Sequence, residues 1–233
     1  MWICISLIAL GGICLVFYLL EKTKRYSVKG VLLKTIVSLL FVGVAAFAAY
    51  ENKGHVLNPF IIAGLIVGLT GDIWLDLKYV YPKDDKLYTY AGFIVFGVGH
   101  ILFVTGMFLE FLGDAHFLYV IVPILAAALI GVGNLFLAKP MKLDFKDMKW
   151  VVFAYSVLLF STPLSALSLL IASGWQNASL WMLFAGGISF AVSDLVLSGT
   201  YFGKGHEKPL DFILNYLFYY GAQFTIAFSL LFL

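Results

Sequence analysis

The sequence predicts an all-α, polytopic integral membrane protein: eight transmembrane helices in a single domain, residues 1–233. Three observations predict it. Hydrophobic residues make up 62% of the 233 and charged residues 12%, against about 45–50% and about 25% in a soluble domain. Mean hydropathy is +0.99. The apolar residues also gather into eight runs of about 20, the length that spans a bilayer core as a helix. This composition excludes a soluble globular domain and a disordered chain. A net charge of +2 supplies no basic surface for nucleic acid.

The first run, Trp2–Leu20, holds both cysteines, Cys4 and Cys14. Ten helical residues separate them by about 15 Å, too far for a disulfide, so they read as lipid-facing or packing thiols. The run has no basic flank before it and no small-residue cleavage site, so it reads as a retained helix. The second run, Val31–Tyr50, carries Lys34 near its start. The third, Pro59–Leu77, carries Asp72, Asp76 and the series Gly64, Gly68 and Gly71, where small residues let a neighbouring helix come close. The fourth, Ala91–Phe111, carries His100. The fifth, Phe117–Ala138, is nearly all apolar. The sixth, Trp150–Ala172, carries Tyr155 and Thr162, seven apart and so on one face, and Pro163, read as the one helix-interior proline. The seventh, Leu180–Thr200, carries Asp194. The eighth, Phe212–Leu233, carries Asn215, Tyr219 and Gln223 at intervals of four, one helix face, with Tyr220 beside them. No Cys/His spacing suits a metal.

The connections sort by charge. The first, third, fifth and seventh hold thirteen of the fifteen basic residues: Lys22, Lys24, Arg25 and Lys29; Lys78, Lys83 and Lys86; Lys139, Lys142, Lys146 and Lys149; Lys204 and Lys208. The even connections hold only Lys53. Basic residues stay on the cytoplasmic side, so the odd connections are expected there and both termini opposite. The expected location is a bacterial inner membrane.

An ionisable group in the bilayer is costly and calls for a reason. With this topology Lys34, Asp72, His100, Tyr155, Asp194 and Tyr219 all fall in the cytoplasmic half, although they come from six helices of alternating direction. One polar chamber open to the cytosolic leaflet explains that. Plainer readings exist for some members. Asp76 and Lys34 lie near helix ends, where a side chain can reach the interface. A lone His100 suits packing as well as chemistry. Tyrosines and tryptophans near helix ends are ordinary interfacial anchors. A buried Asp72–Asp194 pair has no such plain reading.

There is also a weak internal echo. Gly71-Asp72-Ile73-Trp74-Leu75 and Ser193-Asp194-Leu195-Val196-Leu197 share small-Asp-x-x-Leu at an offset of 122. It suggests a 4+4 helix repeat that sets the two aspartates at equal depth.

These residues carry a resemblance. Gly71, Asp72 and Leu75 match Gly-Asp-x-x-Leu; Phe96, Gly97 and His100 match a helix-four Gly/Phe/His pattern loosely. Phe190, Ser193 and Asp194 match Phe-x-x-Ser-Asp, and Tyr219, Tyr220, Ala222 and Gln223 match Tyr-Tyr-x-Ala-Gln. In this order they resemble the YhhN family of eight-helix membrane proteins, whose animal members are lysoplasmalogenases. Two positions depart from that pattern: Lys34-Thr35 stands where the family often has Lys-Pro, and Phe103 where it often has tyrosine.

The resemblance implies hydrolysis of the vinyl ether bond of a lysoplasmalogen. The products are a fatty aldehyde and glycerophospho-ethanolamine or -choline, and the substrate is a single-chain lysophospholipid drawn from the membrane. Protonating the outer alkene carbon gives an oxocarbenium ion, as in the two-carboxylate glycosidases. Two nearby aspartates in a poorly solvated site do not both ionise easily, so acid and base can coexist. On this reading Asp72 and Asp194 are catalytic. His100, Tyr155, Tyr219, Tyr220 and Gln223 position water and substrate oxygens, Lys34 takes the phosphate, and no cofactor or metal is called for. Two alternatives stay open: a proton-coupled transporter using the same groups as a relay, and a lipid-binding protein without turnover.

Overall fold

The computed structural model describes residues 1–22, 27–203 and 208–233; Lys24, Arg25 and Lys204 lie outside them. Eight α-helices follow one another: α1 Trp2–Lys22, α2 Val28–Glu51, α3 Leu57–Val80, α4 Asp85–Phe111, α5 Leu118–Leu137, α6 Lys149–Ala172, α7 Ala178–Phe202 and α8 Pro209–Phe228. No strand occurs among the described residues. Caps mark the starts of two helices. Ser27 Oγ accepts from the Gly30 amide at 3.2 Å, and Asn177 Oδ1 from the Leu180 amide at 2.9 Å, each satisfying an orphan N–H of a first turn. α4 begins six residues before its apolar run. There Thr89 Oγ1 donates to the Asp85 carbonyl at 2.8 Å and Lys78 pairs with Asp85 at 3.4 Å, which extends the helix into polar sequence.

Seven of the eight helices are long and apolar enough to cross a membrane; α8 is the exception. Its polar stripe lowers its hydropathy, yet it is the helix that buries Asn215, Tyr216, Tyr219, Tyr220 and Gln223 against its neighbours. Polarity in α8 is thus turned inward. The whole molecule follows the same rule. Exposed large hydrophobic side chains include many leucines, isoleucines, phenylalanines and tryptophans, while the buried set includes Lys34, Asp72, Asp76, His100 and Thr162. Lipid is as apolar as leucine, so polar groups gather where protein partners can satisfy them.

The helices pair as consecutive hairpins. α2 also packs on α3 as α6 packs on α7, and α4 packs on α6 as α8 packs on α2. Exchanging the two halves preserves these pairs, but the contacts of α8 with α3 and α1 have no counterpart of like extent between α4 and α7 or α5. α5 has only α6 as a substantial neighbour, and most of it faces outward.

The glycines of α3 have the expected use. A Cβ on Gly64 would lie 2.4 Å from the Phe103 ring, and one on Gly71 would lie 2.7 Å from Phe96. Prolines depart from expectation: Pro123 lies inside α5 as Pro163 lies inside α6. Pro123 leaves the carbonyl of Tyr119 without its helical donor. Ser168 Oγ of α6 donates to that carbonyl at 2.7 Å, which is how a membrane helix tolerates the break. Cys4 is buried, Cys14 partly so, and both are free thiols.

Candidate active site

Asp72 and Asp76 stand one turn apart on α3. Lys34 and Ser38 stand one turn apart on α2. The two helices run antiparallel, so Ser38 faces Asp72 and Lys34 faces Asp76. Ser38 Oγ donates to Asp72 Oδ2 at 2.6 Å. The Lys34 ammonium lies between the two carboxylates, 3.2 Å from Asp72 Oδ1 and 3.5 Å from Asp76 Oδ1. α8 closes the group from the other side. Tyr219 OH donates to Asp72 Oδ2 at 2.8 Å, and Gln223 Nε2 donates to the Tyr219 oxygen at 2.9 Å. Tyr220 OH donates to the Lys34 carbonyl at 3.4 Å and lies 3.4 Å from Ser38 Oγ.

Asp76 corrects its sequence reading. It does not reach the interface; it is 4% exposed, within a shell of donors. Lys22 Nζ lies 2.8 Å away, Tyr18 OH donates to both carboxylate oxygens at 2.9 and 3.2 Å, and Tyr216 OH donates at 3.5 Å. Lys34 is likewise no interfacial residue, being 3% exposed. The reason is the same for both. A charge at this depth finds a partner of opposite sign across the helix contact nearer than it finds water.

Asp194 sits apart from that array, on α7. Its carboxylate accepts from Tyr155 OH of α6. No ion pair reaches it among the described residues. The helix beside it is pinned by Asn215 of α8, whose Nδ2 donates to both the carbonyl and the Oγ of Ser193 at 2.9 Å. Asp194 keeps some exposure because it faces an internal cavity.

That cavity has a volume of about 100 Å³, room for several waters or part of a lipid chain. Lys34, Asp72, Tyr155, Asp194 and Tyr219 all line it. Phe96, Phe190 and Tyr219 pack edge-to-face along one wall, with ring centres 5.3–5.9 Å apart. Met141, Leu143 and Phe145, from the connection between α5 and α6, also line it. The chamber therefore lies at the end of the bundle where the basic connections emerge.

His100, Tyr220 and Gln223 do not line the cavity. They stand behind its wall. His100 Nδ1 lies 2.9 Å from Thr162 Oγ1, and its ring packs 4.8 Å from Phe190 and 6.1 Å from Tyr155. His100 Nε2 and Gln223 Oε1 are buried and have no partner among the described residues. Sequence reasoning missed Tyr18, Lys22 and Ser38. Lys22 counted as a loop charge and Tyr18 as an interfacial anchor. Ser38 carried a usable signal, since it follows Lys34 by one helical turn on the same face.

The fold and this chamber define a multi-pass α-helical membrane protein with ionisable groups converging inside its bundle. Residues 29–230 match the YhhN family, most of the chain, and the protein belongs to that family. No curated protein and no solved structure matches the chain.

Proposed function

We propose that the protein is a membrane-embedded ether hydrolase that cleaves the vinyl ether bond of a lysoplasmalogen. The observation that carries this reading is the placing of Asp72 and Asp194 on one cavity with unlike partners. Asp72 accepts from Ser38 and Tyr219 and pairs with the Lys34 ammonium. Each of these favours the carboxylate, so Asp72 is the base. Asp194 has one hydroxyl donor and faces the cavity, so it is the group that carries a proton into it.

The steps balance. Asp194 gives its proton to the outer alkene carbon, and the double-bond electrons form that C–H bond. The positive charge passes to the ether-bearing carbon as an oxocarbenium ion, stabilised by the Asp72 carboxylate. Water adds to that carbon, and Asp72 takes the proton water loses. The hemiacetal then collapses. Asp194 recovers a proton from the hemiacetal hydroxyl, while Asp72 returns one to the departing glycerol oxygen. The products are a fatty aldehyde and the glycerophospho head group. Both carboxyls end as they began, and one water is consumed.

The aromatic wall of Phe96, Phe190 and Tyr219 suits a hydrocarbon chain beside the reacting atoms and offers π faces to the cation. Lys34 is held by two carboxylates, so it serves Asp72 in this reading and does not take the phosphate. The test is to incubate purified protein with a lysoplasmalogen and to measure aldehyde. Stoichiometric aldehyde and glycerophospho head group support the reading. Uptake of lipid or of protons into vesicles without aldehyde would favour a carrier instead.

A further inference from the structure

We infer that Asp76, gripped by Lys22 and Tyr18 of α1, is a positioning residue: it fixes Lys34 on Asp72 by acting as the second anchor of the Lys34 ammonium. The inference rests on the reading of Asp72 as the base. The array is a chain of contacts. Lys22 Nζ lies 2.8 Å from Asp76 Oδ1, Asp76 Oδ1 lies 3.5 Å from Lys34 Nζ, and Lys34 Nζ lies 3.2 Å from Asp72 Oδ1. All four side chains are at most 4% exposed. Two lysines and two aspartates therefore sit together out of water, near a third buried lysine, Lys78, that pairs with Asp85. Such charges hold one another only while their number balances, since an uncompensated buried charge is strongly unfavourable.

The geometry gives the outer pair a task beyond its own neutrality. The Lys34 side chain is flexible and its ammonium is a compact point charge. With Asp72 as its one anchor, it could settle anywhere on that carboxylate, including over the face that meets water and the cation. Asp76 supplies the second anchor one turn along α3. Asp76 is itself held by Tyr18, through hydroxyl contacts of 2.9 and 3.2 Å, and by Lys22. Neither Tyr18 nor Lys22 lies within residues 29–230, the part of the chain that matches the family. α1 thus reaches the site through Asp76, which lies just beyond the Gly71-Asp72-x-x-Leu75 motif.

The test compares four full-length proteins in detergent: wild type, Asp76→Asn, Lys22→Gln and the double variant. Aldehyde release from a lysoplasmalogen and melting temperature are measured for each. Asp76→Asn is expected to lower kcat by about 100-fold, the effect of a reacting group displaced by about 1 Å, with KM within about twofold of wild type. The double variant removes one charge of each sign and leaves the Lys34–Asp72 pair. It is expected to melt above the Asp76→Asn single variant, the non-additivity of residues in one network, yet to keep the roughly 100-fold loss of kcat, because Lys34 still lacks its second anchor.

An Asp76→Asn protein with wild-type kcat overturns the inference. So does a double variant that regains wild-type kcat together with its melting temperature, because a role in folding alone predicts that result. If the wild type releases no aldehyde, the hydrolase reading fails and the array is judged by melting temperature. Each single variant should then melt lower than the double, and the absence of that recovery overturns the array.

Discussion

The hydroxyl of Tyr219 on α8 donates to Oδ2 of Asp72 on α3 at 2.8 Å. This bond ties α8 to α3 at the wall of the chamber. Behind it stands Gln223, whose amide donates to the same tyrosine oxygen at 2.9 Å. Tyr219 thus receives one hydrogen bond and gives one, so its hydroxyl has a fixed direction. Fixed direction is what distinguishes a preorganised site from a polar residue that happens to be buried.

Asp72→Asn and Asp194→Asn keep the shape of each side chain and remove its ability to exchange a proton. Each is expected to lower aldehyde release by about 10²–10⁴-fold, the usual range for general acid–base groups. Melting temperature in detergent should stay close to wild type for Asp194→Asn, which sheds no ion pair. Full activity in both variants would rule out the two-carboxylate mechanism.

Tyr155→Phe deletes the one hydroxyl donor that Asp194 has among the described residues. A single hydrogen bond of ordinary strength corresponds to about a tenfold change. The expected result is a kcat about tenfold lower, measured with saturating substrate. A drop as large as that of Asp194→Asn would mean that the phenol itself takes part in proton transfer.

Gly64→Ala sets two effects against each other. Alanine gains about 1 kcal/mol in a helix interior over glycine. A Cβ here, however, would lie 2.4 Å from the ring of Phe103, and that ring is 2% exposed with nowhere to go. Overpacking of this kind typically costs about 1–3 kcal/mol, so a lower melting temperature is expected. Gly43→Ala is the matched comparison. Its nearest contact would be 3.8 Å, to Leu7 Cδ1, and an unchanged or raised melting temperature is expected.

A reporter fused after Leu233 is expected to read outside the cytoplasm, and reporters placed in the connections after α1, α3, α5 and α7 to read inside. A cytoplasmic signal from the Leu233 fusion would invert the bundle and move the chamber to the other leaflet.

Much of the helix plan was legible in the sequence because a membrane imposes a length and a composition on each crossing. The eight helices lie where the apolar runs lie. Their ends differ where polar residues continue a helix beyond the lipid, as at Asp85 on α4. Asp72 and Asp194 stood out for a similar reason, since an ionised group in an apolar run has few ordinary explanations. The partners were harder to read. Ser38, Tyr18 and Lys22 belong to residue types common at helix faces and ends. What makes them part of the array is the antiparallel register of α2 on α3 and the approach of α1, which one chain read in order does not display. Asp76 was misread on the same ground: distance from a helix end was taken as distance from water. His100 and Gln223 were rightly placed in the interior but one layer too near the cavity.

The polarity of α8 has a consequence for how the protein is made. A helix that buries Asn215, Tyr219 and Gln223 against its neighbours depends on partners already in place. It leaves the ribosome after α2, α3 and α7, whose Ser38, Asp72 and Ser193 meet its polar face. Docking of α8 therefore follows insertion of those helices. Before that step Asp72 lacks its Tyr219 donor and Ser193 its Asn215 partner. Substitutions along Asn215, Tyr219 and Gln223 should accordingly lower the amount of protein in the cell as well as its turnover.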